Sequence, residues 1–263
     1  MWRFTSFVAP GEKTFIANTG MYYGFQNARG YDSIFPRQYA DYMGAIEEQD
    51  ELLFNRIAPL SDYDSLDSPL LDLLNVKYVV TTQYIPNAGY ELVYDGEIRV
   101  YENTDVLPRA FTMPAQAARI LPQSEVATTL RELDPRHELL LESEQAESTP
   151  LPWAVMPTGT GEVASATVTG YDINDVSVSV DMKDAGFLLL ADSYFPGWKA
   201  YARPTGTDAK SEEEIPIYRA DGNFRAVPLS AGSQIVDFKY TPMSIKLGLY
   251  VSFMAAVILF LLA

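Results

Sequence analysis

Apolar and polar positions alternate along the last third of the chain, and the alternation ends in an uninterrupted apolar run. From Gly161 the period is two: Val176, Val178, Val180 and Met182 fall on one face, while Ser177, Ser179 and Asp181 fall on the other. That is the pattern of a strand with one side in a core and one in water. Residues 187–190 form a continuous apolar strand, and 215–219 pairs with 224–229 across Asp221 and Gly222. Ser230, Ala231 and Gly232 turn the chain into 234–240, where Val236, Phe238 and Tyr240 share a face. Short strands with turn signals at this spacing predict an antiparallel β-sandwich.

The first half reads differently. Ser68 and Pro69 ahead of Leu70, Leu71, Leu73 and Leu74 mark a helix start, with a capping hydroxyl and proline at the first helical position. Residues 76–81 follow as a β-rich run. Residues 36–49 and 124–133 are further helices, the second with Val126, Leu130 and Leu133 on one face. Residues 90–94 and 98–101 flank Asp95 and Gly96 as a hairpin. The expected fold class is therefore α+β. A mixed helix and strand region occupies 1–150, a β-sandwich 151–243 and a transmembrane helix 244–263, with the acidic, proline-bearing stretch 142–157 as linker.

Residues 247–263 carry no charge, and only Tyr250 and Ser252 interrupt the apolar run. At about 1.5 Å per residue this stretch reaches roughly 25 Å, short of the roughly 30 Å hydrocarbon core, so the span is expected to be truncated. The apolar stretch at the amino terminus is too short for a secretory signal. A domain with a membrane helix after it and no targeting segment before it is expected to be the carboxy-terminal piece of a longer membrane protein, its earlier spans upstream.

Composition narrows the partners. The chain has 263 residues, 48% of them hydrophobic, enough for one large core or two ordinary ones. With 35 acidic against 19 basic side chains, the formal charge is −16. Such a surface repels phosphate backbones, so nucleic acid is excluded as a partner. The imbalance also suits the outer side of a membrane, where residues 1–243 are expected to lie. The absence of cysteine excludes disulfides and thiolate metal sites.

No catalytic set emerges. Gly159, Gly161 and Ala164 have the spacing of a dinucleotide fingerprint, but Pro157 precedes them and a strand pattern follows, so they read as a turn. The single histidine, His137, lacks a nucleophile elbow and reads as a surface residue. Asp62, Asp64 and Asp67 resemble a metal-holding D-x-D, against the plainer reading of a turn and helix cap. Asp172, Asn174 and Asp175 lack the glycine and distal glutamate of a calcium loop and read as a strand-to-strand turn. Glu142, Glu144 and Glu147 sit in the proposed linker, where acids cannot be held at a fixed separation. No metal and no cofactor is assigned.

Two aromatic clusters are the candidate carbohydrate contacts: Asn18, Tyr22, Arg29, Tyr31 and Asp32 in one, Asp192, Tyr194 and Trp198 in the other. Aromatic faces stack on sugar rings while neighbouring polar groups bond their hydroxyls. The same residues also make ordinary cores and corners.

The segments RGYDSIFPRQYADYM (29–43), LLDLLNVKYVV (70–80), LPRAF (107–111), SYFPGWKAY (193–201) and NFRAVPLSAGSQIVDFKYTP (223–242) together resemble the carboxy-terminal region of the bacterial YfhO family of many-span membrane proteins. The family is similar to lipid-linked-sugar glycosyltransferases that modify cell-surface polymers. The resemblance implies an extracytoplasmic accessory domain, partnered by the lipid bilayer, by the missing spans of its own protein and by a cell-surface glycan or polymer. It implies no catalytic residue here, because the family's catalytic acids lie in loops between early spans. Two departures stand near Trp198: residues 203–214 replace an Asp-Gly pair, and Gln234 replaces a histidine. The alternatives are a membrane-anchored binding or adhesion module, and a metal-dependent transferase using Asp62 and Asp64.

Overall fold

The computed structural model describes residues 1–9, 12, 14–50, 52, 55–143 and 165–262. Its first sheet comprises β1 (Arg3–Ser6), β2 (Gln26–Asn27), β3 (Val76–Thr81), β4 (Tyr90–Asp95) and β5 (Arg99–Asn103), in the order β2-β1-β3-β5-β4. β1 and β3 are parallel, so a long crossover must join them. It carries α1 (Thr19–Tyr22), α2 (Arg37–Ile46), α3 (Tyr63–Leu66) and α4 (Pro69–Leu73). Pro69 opens α4 as expected, but the Ser68 hydroxyl makes no capping bond. Burial of Leu70, Leu71, Leu73 and Leu74 holds this short helix instead, at about 1.5–3 kcal/mol for each leucine. β4 and β5 form the hairpin expected around Asp95 and Gly96.

The second sheet has the order β6-β11-β15-β14-β8-β7. It contains β6 (Ala110–Pro114), β7 (Ala118–Leu121), β8 (Leu139–Glu142), β11 (Gly186–Leu190), β14 (Tyr218–Ala220) and β15 (Phe224–Leu229), with α5 (Gln123–Thr129) between β7 and β8. The third sheet is antiparallel, ordered β13-β12-β16-β10-β9, from β9 (Ser165–Tyr171), β10 (Asp175–Met182), β12 (Trp198–Pro204), β13 (Glu213–Ile215) and β16 (Gly232–Tyr240).

The second sheet lies between two cores. Phe187 and Leu189 of β11 face the helices and the first sheet, while Leu188 and Leu190 face Val176, Val178, Val236 and Phe238 of the third sheet. A strand covered on both sides must be apolar at every position, which is why β11 reads as a continuous run. β10 closes one side of the sandwich and alternates as its sequence does.

The second sheet corrects three expectations. It takes β6, β7 and β8 from before residue 150 and β11, β14 and β15 from after it, so a domain division at 150 cuts through one sheet. The single strand expected over 215–219 is two: β13 pairs with β12 in the third sheet and β14 with β15 in the second. Pro216, which has no N–H to donate to a ladder, lies at the crossing. Glu142, placed in the linker from sequence, is a buried residue of β8 paired with Arg219. Glu144, Glu147 and the Gly159–Gly161–Ala164 spacing lie outside the described residues.

β16 leads into α6 (Met243–Leu262), 20 residues with none buried and a mean hydropathy of 2.3. At about 1.5 Å per residue it is long enough to cross a hydrocarbon core of about 30 Å. It begins before the charge-free run and carries Lys246 in its first turns, where a long side chain reaches back toward water.

Candidate functional site

The three sheets meet at the end of the domain from which α6 leaves. Trp198 opens β12 opposite Tyr240 at the close of β16. The Thr241 N–H donates to Gly197 O at 2.8 Å and the Tyr240 N–H to Asn174 O at 2.8 Å. These bonds tie the foot of α6 to the 193–197 loop and to the β9–β10 turn. Gln38 of α2 donates to Tyr194 O at 2.9 Å, bringing the 31–36 segment to the same end. Gly197 has φ +109°, and a Cβ there would lie 2.8 Å from Pro242 Cβ, so only glycine fits the junction. The 193–197 loop and the β9–β10 turn thus flank the helix foot, and the segment before α2 lies on the same side of the domain; each carries an apolar side chain in the open, Phe195 at 46% exposure, Ile173 at 86% and Ile34 at 87%.

Behind these loops lies a buried charge cluster centred on Asp192, just past the end of β11. Arg3, the first residue of β1, places Nη2 3.1 Å from Asp192 Oδ1 and donates Nη1 to the carbonyls of Leu74 and Ala191. Arg109, immediately before β6, places Nη2 2.5 Å from the same oxygen. Arg225 of β15 places Nη2 3.2 Å from Oδ2, with its guanidinium 4.0 Å from the centre of the Trp198 ring. Tyr171, at the end of β9, donates its hydroxyl to Asp192 Oδ1 at 3.2 Å and accepts from Arg109 Nη2 at 2.7 Å.

Three cations therefore share one anion in a buried site. Burial alone would raise the Asp192 pKa, but Arg109, Arg3 and Arg225 outweigh it and hold the carboxyl below its ordinary range. Burial lowers Arg225 to about 10, and it lowers Arg3 with help from the like charge of Arg109. Arg109 Nε and Nη1 and Arg225 Nη1 have no hydrogen-bond partner among the described residues. Arg109 and Tyr171 line a cavity of about 350 Å³ walled otherwise by Met1, Pro108, Ala110 and the rest of β9 from Ala166 on.

The candidates from sequence divide accordingly. Asp192 is the centre of the cluster, Trp198 covers Arg225, and Tyr194 contributes backbone only, its N–H donating to Asn223 O at 2.6 Å. In the other cluster Asn18 and Tyr31 meet: Asn18 Nδ2 donates to Tyr31 O at 2.5 Å and Asn18 Oδ1 accepts the Tyr31 N–H at 3.1 Å. Tyr22 is fully in the open and Tyr31 largely so. Asp32 accepts the Ile34 N–H at 3.3 Å, a local turn bond. Arg29 is buried and braces the carbonyls of Ile57 and Phe15, each at 3.3 Å. Arg29 and Tyr31 border a broad cleft of about 1670 Å³ with charges of both signs along it, among them Arg37, Glu47 and Asp62. Asp62 caps α3, its Oδ1 accepting the Asp64 N–H at 3.0 Å. His137 lies in the open with Nδ1 2.8 Å from Asp134 Oδ2.

Sequence reading missed Arg3, Arg109, Arg225 and Tyr171. The signal for Arg225 was present: it interrupts the apolar run Phe224–Leu229, every residue of which is buried. A charged residue inside such a strand demands a partner.

Fold and site together define an α+β domain of three sheets with an arginine-rich base and a membrane-length helix. No protein-family model, curated protein or solved structure with which the chain was compared matches it.

Proposed function

We propose that this chain is the extracytoplasmic accessory domain of a YfhO-like membrane glycosyltransferase acting on a cell-surface polymer. In this reading α6 anchors the domain, the base rests on the outer membrane surface, and the domain positions the acceptor while catalysis belongs to other parts of the parent protein. The observation that carries it is the junction at Gly197: backbone bonds and close packing couple the foot of α6 to the loop joining β11 to β12 and to the β9–β10 turn, so the helix is tied to the second and third sheets at the base. Exposed Ile173 and Phe195 beside the helix foot, with exposed Ile34 in the segment before α2, suit the interfacial region of a bilayer, where apolar and aromatic side chains gain from leaving water.

The exposed tyrosines Tyr22, Tyr23 and Tyr31 favour a second reading, a membrane-anchored binding module that captures a glycan by stacking. Both readings predict no chemistry from the chain alone. The test is a transfer assay with a polyprenyl-phosphate sugar, run on this chain and on the Asp62→Asn, Asp64→Asn double variant. No turnover is expected from either. Metal-dependent turnover that the double variant abolishes would replace both readings with a transferase built on Asp62 and Asp64.

A further inference from the structure

We propose that the arginine cluster around Asp192 is a binding site for a phosphate ester, with Arg109 and Tyr171 as its contact residues at the 350 Å³ cavity. Three independent observations converge on it. The first is charge: Arg3, Arg109 and Arg225 surround a single carboxylate, leaving two positive charges uncompensated in a buried site of an otherwise acidic chain. Buried charge without a partner is costly, and an anion of charge −1 to −2 removes that cost.

The second is donor capacity. Arg109, only 5% exposed, has Nε and Nη1 without a partner, and its third nitrogen is shared between Asp192 and Tyr171. Guanidinium groups match phosphate oxygens in geometry and hold them with charge-assisted bonds. Tyr171 is partly exposed and its hydroxyl is bonded to both members of the pair, so a turn of the phenol brings that hydroxyl to an incoming oxygen without leaving the site. The third is space and place. The cavity has the volume of a small-ligand site, and its lining runs along β9 to Tyr171, beside the β9–β10 turn that bonds the foot of α6. The overall charge of −16 hides this local reversal.

The ester can belong to a lipid headgroup or to a soluble molecule. The lipid source rests on the reading of α6 as a membrane anchor, whereas the anion site itself does not. The experiment is thermal unfolding of the full chain in a nonionic detergent with inorganic phosphate, against chloride at equal ionic strength. A second arm uses phosphatidylcholine nanodiscs with and without phosphatidic acid. Phosphate is expected to raise the unfolding temperature above the chloride control. Arg109→Gln is expected to weaken phosphate binding about tenfold or more, the loss of charged hydrogen bonds, and to be stabler than the wild-type chain without phosphate.

If Arg109→Gln does not fold, Tyr171→Phe gives the same readout with a smaller loss. Response to inorganic phosphate and phosphatidic acid together supports the site for either source. Response to phosphatidic acid alone supports a headgroup site, and response to inorganic phosphate alone supports a soluble ester. A wild-type chain that responds no more to phosphate or phosphatidic acid than to the controls overturns the proposal, as does a folded Arg109→Gln with unchanged phosphate affinity.

Discussion

Replacing Asp221 with asparagine should make the domain more stable at neutral and alkaline pH and leave it nearly unchanged in acid. Asp221 is the first of two left-handed residues in the β14–β15 turn, with φ 46° followed by 68° at Gly222. The Asn223 N–H closes the turn on Ala220 O at 3.1 Å. The Asp221 side chain accepts the Leu140 N–H at 2.8 Å, and its own N–H donates to Leu140 O at 2.8 Å, so the turn is tied to β8 in the core. Burial raises its pKa to about 7, against the opposing pull of the Leu140 bond. In the unfolded chain an aspartate titrates near 3.9.

Between about pH 4 and about pH 7 the folded state therefore keeps a proton that the unfolded state has released. Stability must fall as pH rises through that window and reach its full loss above the folded pKa. A shift of about three units at 1.36 kcal/mol each gives a cost of about 4 kcal/mol. Asparagine keeps the acceptor oxygen, tolerates the left-handed backbone and does not titrate. Urea unfolding across this range should give equal stabilities to within about 1 kcal/mol near pH 4 and an advantage of about 3–4 kcal/mol for Asp221→Asn near pH 8. A difference that does not change with pH, or that favours the wild-type chain as pH rises, would refute the reasoning.

Three further outcomes follow from the base. Asp192→Asn leaves three buried guanidinium groups without their anion and should cost about 3–5 kcal/mol in urea unfolding at neutral pH, a loss that shrinks below the ordinary carboxylate range because Asp192 then protonates in the wild-type chain. Gly197→Ala forces a side chain into a positive φ against Pro242 and should cost about 1–3 kcal/mol in the same assay. Trp198→Ala should cost about 3 kcal/mol, the low end for this substitution, because the ring is only partly buried and its loss also uncovers Arg225.

What was legible in the sequence is local. The alternation of Val176, Val178, Val180 and Met182, the Asp95–Gly96 hairpin, the proline start of α4 and the apolar run of α6 all depend on neighbours within a few positions. What was not legible depends on partners far along the chain. The pairing of β6 with β11 brings Met113 beside Phe187, and no periodicity records that choice of neighbour. The crossing at Pro216 is hidden because Ile215 and Tyr218 both look like strand residues whichever sheet they join. Asp192 and Trp198 were visible as an acid and an aromatic at the end of a buried strand. Their arginines were not, because residues 3, 109 and 225 come together only when the first sheet closes on the second.

The claim that the base of the domain stands on a bilayer is tested most directly by depth. The chain has no cysteine, so Ile173→Cys, Phe195→Cys and Thr207→Cys each give a single site for an environment-sensitive fluorophore. Position 207 lies just beyond β12 at the end opposite Trp198 and serves as the distant control. With the full chain in nanodiscs containing bromine-labelled lipid, fluorophores at 173 and 195 should be quenched and the one at 207 should not. Quenching at 207 equal to that at 173, or none at 173 and 195 while α6 is inserted, would contradict the account.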